Sequence, residues 1–80
     1  MTREEVFEGL KEILSAIRPS TDLSKAGFGT ELLRELGVDS LTMLVLSLAV
    51  EEKFGMHFPD GAPAPTTVGE VCDAVVAALN

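Results

Sequence analysis

Gly37-Val38-Asp39-Ser40-Leu41-Thr42-Met43-Leu44-Val45-Leu46-Ser47-Leu48-Ala49-Val50-Glu51-Glu52-Lys53-Phe54-Gly55 carries a helix together with its own start and stop signals. Asp39 and Ser40 are both good N-cap types, because a short oxygen-bearing side chain can accept from a free N–H of the first turn. Gly55 stops the helix, since glycine enters the left-handed region without a steric cost. Turning each residue by about 100° places Met43, Leu46, Val50 and Phe54 on one side, which is assigned to the core. Leu41, Val45, Leu48 and Glu52 fall opposite. The back of this helix is therefore apolar too, and needs an explanation. Ser47 is mid-helix, where its hydroxyl can return a hydrogen bond to the backbone, and no function is assigned to it.

Working outward, Thr2 and Glu5 have the spacing of a capping box, and Val6, Leu10, Ile13 and Ile17 then recur at helical spacing with Phe7 and Leu14 beside them. A first helix is expected over Arg3 to Arg18, ended by Pro19, which lacks a donor and pushes its predecessor out of the helical region. Ser20 to Thr30 is a long loop pinned by Leu23 and Phe28, and Glu31 to Leu36 has room for one or two helical turns before Gly37. Beyond Gly55, Met56 to Pro65 holds Pro59, Pro63, Pro65 and Gly61, so any helix there is short or missing. Thr67 and Glu70 make a second capping box ahead of Val68, Val71, Cys72, Val75, Val76 and Leu79, the stripe of a last helix. The expected fold is all-α: a small antiparallel bundle of three main helices with a long first loop and a short or degraded extra helix, forming one domain over residues 1–80.

Composition narrows the function classes. A net charge of −7 would repel nucleic acid and favours partners with basic surfaces. One cysteine cannot make an internal disulfide, and the single histidine is too few for a structural zinc site, which fits a reducing cytoplasm. Acids at Glu4 and Glu5 stand where a signal peptide would be basic, so export is not expected. The apolar run Met43 to Val50 is too short for a membrane span, so no membrane insertion is expected.

A serine hydroxyl at the first position of a helix suits a phosphate ester, because unpaired N–H groups and the positive end of the helix dipole favour an anion there. The residues alone favour a plain capping role for Ser40, because serine caps are common. The wider pattern is more specific. Leu36-Gly37-Val38-Asp39-Ser40-Leu41, Glu51-Glu52-Lys53-Phe54, Phe58-Pro59-Asp60 and Thr66-Thr67-Val68 together resemble acyl carrier proteins. That resemblance implies a four-helix bundle with 4'-phosphopantetheine attached to Ser40 by a separate phosphopantetheinyl transferase. Acyl groups would ride on the arm's thiol as thioesters, and the chain itself would be no enzyme. It further implies that Asp39 and Leu41 flank the arm, and that acyl-loading, condensing and acyl-transfer enzymes meet a face comprising Leu41, Leu44, Val45, Leu48, Glu51 and Glu52. A monomer is expected.

Members serving fatty-acid synthases usually carry acids where this chain has Thr42 and Val45, and helix formers where it has Gly61, Pro63 and Pro65. These departures point to a dedicated polyketide, specialised lipid or secondary-metabolite pathway. Two other readings stand beside it: a peptidyl carrier loaded with an amino acid, and a non-carrier interaction bundle using Leu41, Leu44, Val45 and Leu48. Asp39 before Ser40 leans towards acyl carriers. The remaining candidates read as structural. Cys72 lies on an apolar stripe, where a thiol is a small hydrophobe. Glu4, Glu5, Glu8 and Glu12 form a solvated face with no metal-binding loop geometry. His57 is expected in solvent or over the end of the helix ending at Phe54, with no metal role.

Overall fold

The computed structural model describes residues 1–61 and 63–80; position 62, within the stretch where any helix is expected to be short or missing, lies outside the described residues. Helix α1 runs Arg3–Ile17, α2 Leu32–Leu36, α3 Ser40–Phe54 and α4 Val68–Leu79. Among the described residues there is no strand and only one isolated antiparallel bridge, Glu31 to Thr67. The short extra helix is thus α2, and the described part of 56–66 forms no helix.

Each helix begins and ends for a local reason. Both expected capping boxes form, with Thr2 accepting from Glu5 N at 3.2 Å and Thr67 from Glu70 N at 3.2 Å, while each glutamate accepts in return from its threonine's N–H. The α1 helix stops one residue short of Arg18, whose N–H still donates to the Leu14 carbonyl. At the end of α2, Gly37 turns left-handed at φ 68°, and Val38 N donates back to the Leu32 carbonyl at 2.9 Å. A side chain at residue 37 would be strained by that angle and would meet the Arg18 guanidinium packed behind it.

The core lies where α1 packs against both α3 and α4. Val6, Leu10, Ile13 and Leu14 come from α1, Leu46 and Val50 from α3, and Val68, Val71, Cys72 and Val75 from α4, with Leu32, Leu36 and Val38 closing one end. Met43 and Phe54, assigned to the core, are only partly buried against it. Leu79, the last residue of the expected α4 stripe, is exposed at the C-terminal end of its helix. No hydrogen bond from the Ser47 side chain to the backbone forms among the described residues.

The bridge sets where α2 and α4 begin. Leu32 N donates to the Thr66 carbonyl at 2.9 Å, Val68 N to Thr30 at 3.0 Å, and Gly69 N to Phe28 at 2.7 Å. Gly69 is required by this approach, since a Cβ there would lie 2.8 Å from the Phe28 carbonyl oxygen. Phe28 is held in turn by the Phe7 ring, with centroids 5.0 Å apart, and by the Arg3 guanidinium 4.0 Å from its centroid. Through these contacts the long first loop presents α2 beside the start of α3.

Candidate functional site

Asp39, not Ser40, caps α3: its Oδ1 accepts from Thr42 N at 2.8 Å, and its carbonyl accepts from Met43 N at 2.7 Å. The alternative in which Ser40 serves as the cap is corrected by this geometry, because Ser40 is already the first helical residue. Its side chain is exposed and makes no hydrogen bond among the described residues. Nor do the N–H groups of Ser40 and Leu41 find an acceptor among them, so the positive end of α3 is open at the serine. The bond from Thr42 N, aided by the Arg18 charge, holds the Asp39 carboxyl below its ordinary value of 3.8 and keeps it ionised.

Beside Ser40 opens a cleft of about 640 Å³. Leu33 and Arg34 of α2, Val38, Met43 of α3 and Pro65 line it, so a largely apolar trough leads away from the serine. Sequence reasoning missed Leu33, Arg34, Met43 and Pro65 as site residues. One signal was available: Leu32 and Leu36 already supply the buried face of α2, which leaves Leu33 as an apolar residue pointing elsewhere. A second groove of about 640 Å³, lined by His57, Phe58, Pro59 and Pro63 and by the alanines of α4, shares Ala64 and Pro65 with the first.

On the outer side of α3, Leu41 is 72% exposed, Leu44 58%, Val45 46% and Leu48 59%, so the long first loop does not cover them. Glu52 is exposed at the far end, but Glu51 is turned away into the fold. Its carboxylate accepts from Phe58 N at 2.8 Å and lies 3.0 Å from His57 Nδ1, stapling the chain after Gly55 to the helix. His57 therefore sits over the end of α3. Cys72 is fully buried, and burial pushes its thiol up to about 11, which makes it a poor nucleophile. Glu4, Glu5, Glu8 and Glu12 are exposed, Glu5 serving the capping box, Glu8 meeting Lys11 and Glu12 meeting Lys53. No group of three or more His, Cys, Asp or Glu side chains among the described residues could hold a metal ion. No helix among them is long and apolar enough to cross a membrane.

A family model described as the phosphopantetheine attachment site matches residues 7–75. The chain is 35% identical over 78 residues to an acyl carrier protein of Acidothermus cellulolyticus, covering 94% of this chain and 89% of that protein. It is 39% identical over 77 residues to an acyl carrier protein of Rubrobacter xylanophilus, covering 95% and 94%. A meromycolate extension acyl carrier protein of Mycolicibacterium smegmatis is 35% identical over 74 residues, covering 88% of this chain and 71% of that protein. The class defined by this bundle and these matches is that of phosphopantetheine-bearing carriers, and the chain belongs to the acyl carrier protein family. It is a non-enzymatic carrier whose cofactor is phosphopantetheine, and it works with a phosphopantetheinyl transferase and acyl-handling enzymes.

The site's chemistry fits that group. An exposed, uncommitted hydroxyl is open to esterification, free N–H groups lie at the helix start, and an apolar trough adjoins it. When bound, the arm supplies a thiol on which an acyl group is carried as a thioester.

Proposed function

We propose that residues 1–80 act as one carrier domain in which Ser40 bears the arm and the exposed face of α3 docks enzymes of a dedicated polyketide, specialised lipid or secondary-metabolite pathway in the cytoplasm. The observation that carries this reading is the pairing of the uncommitted Ser40 hydroxyl with an exposed apolar surface, Leu41, Leu44, Val45 and Leu48, that the described residues leave uncovered. The likeness to a carrier named for meromycolate extension supports a dedicated lipid pathway. Leu41 flanks the arm, and Asp39 orients the serine by fixing the first turn. The apolar residues supply most of the affinity, since burial of such anchors dominates interfaces, while Glu52 steers a basic rim. Glu51 contributes charge to that end but is held by Phe58 N and His57.

Replacing Val45 by Glu restores an acid common in fatty-acid-synthase carriers at a site that is 46% exposed. The expected mutant folds, accepts the arm from a permissive transferase and loses acyl transfer with its own pathway enzymes. Undiminished transfer would refute the docking face.

A further inference from the structure

We propose that Arg34 is a positioning residue for the phosphopantetheine arm, holding the phosphodiester made on Ser40 at the mouth of the cleft; this rests on the reading that Ser40 bears the arm. Arg34 and Ser40 line the same cleft, one from α2 and the other from α3. Arg34 is the single cation among the described lining residues, and the acids there are Glu31 and Asp39.

Arg34 is free to serve. Its present partner is Glu31 at 3.4 Å, a pair in which the arginine side chain is 78% exposed, and such pairs hold a guanidinium weakly. A phosphodiester carries a permanent negative charge and offers oxygens that a guanidinium fork can bind in pairs. It would stand next to the Asp39 carboxylate, a like charge one residue away, so a cation at this spot relieves a repulsion that the serine's own neighbourhood creates. The other guanidinium on this side of the molecule, Arg18, is packed behind Gly37 and is not among the cleft-lining residues. With its phosphate held beside Arg34, the arm is led over Leu33, Met43 and Pro65, and the outer α3 surface stays free for a partner enzyme.

The test uses the full chain, loaded from coenzyme A by a permissive transferase and checked by mass and by mapping of the modified residue. Nuclear Overhauser contacts are then recorded from the two geminal methyl groups of the pantetheine to the methyls of Leu33 and Met43, together with the phosphorus chemical shift. The parent should show these contacts. Arg34→Gln should lose them and move the phosphorus resonance, while Arg34→Lys, which keeps the charge without the fork, should retain them in weakened form. Unchanged contacts and phosphorus shift in a folded Arg34→Gln carrier overturn the assignment of Arg34 alone. A parent that takes the arm at a residue other than Ser40 overturns both that assignment and the reading beneath it.

Discussion

Truncation of Leu46 to alanine, set beside Val45→Glu at the neighbouring position, tests which side of α3 holds the fold together. Leu46 is fully buried, whereas Val45 is 46% exposed and is turned about 100° away around the helix. Leu46→Ala removes apolar atoms from the core where α3 packs against α1 and leaves a cavity that a tightly packed interior refills only in part. Such truncations cost roughly 2–5 kcal/mol. A chain of 80 residues is stabilised in total by about 4–12 kcal/mol, at roughly 0.05–0.15 kcal/mol per residue. The mutant should therefore forfeit a large share of its stability. With a urea slope near about 1 kcal/mol/M for so small a protein, the midpoint should fall by about 2–5 M, which in a marginal parent means unfolding without denaturant. Val45→Glu should stay within about ±0.5 kcal/mol. Both are read by urea titration followed by far-ultraviolet circular dichroism. A Leu46→Ala midpoint equal to the parent's, with Val45→Glu unfolded, would reverse the assigned faces of α3 and remove the basis for a docking surface.

The Asp39 carboxyl sits below its ordinary value of 3.8 in the fold, so its stabilising effect is complete above that value and is lost as pH falls through the lower folded-state one. Asp39→Asn, which keeps a cap oxygen but not the charge, should melt slightly below the parent near neutrality, decline less steeply in acid and converge with the parent there. Cys72 should resist alkylation by iodoacetamide in the native protein and react once denatured, as a fully buried thiol pushed up to about 11 requires; rapid native labelling would show that the α4 core opens readily. Sodium chloride should raise the melting temperature near neutral pH, because 13 acids face 6 bases and their net repulsion is screened; a steady fall would contradict that.

The legible parts of the fold were those written in consecutive residues. Thr2 with Glu5, Thr67 with Glu70, and the left-handed glycines at 37 and 55 act within a turn of the helix end they define, so their spacing is readable directly. The buried stripe of α1 and the buried pair Leu46 and Val50 follow from helical periodicity in the same way. The bridge between Glu31 and Thr67 was not legible, because it consists of backbone hydrogen bonds between distant segments and leaves no pattern of side chains. The cleft was hidden for the same reason, being assembled from α2, α3 and Pro65. Glu51 looked like a solvent-facing charge beside Glu52, yet the left-handed turn at Gly55 brings Phe58 N and His57 back onto it. At the candidate site, the choice between Asp39 and Ser40 as cap depended on a single dihedral transition, which two adjacent good cap residues cannot announce.

The central claim, that the Ser40 hydroxyl is the point of attachment, meets its most direct test in intact-mass measurement of the parent and of Ser40→Ala after incubation with coenzyme A and a permissive transferase. Because Asp39 carries the cap, the alanine variant should remain folded, and circular dichroism verifies this on the same samples. The parent should gain the mass of one phosphopantetheine arm and the folded variant none. An arm taken up by Ser40→Ala as readily as by the parent would contradict the assignment.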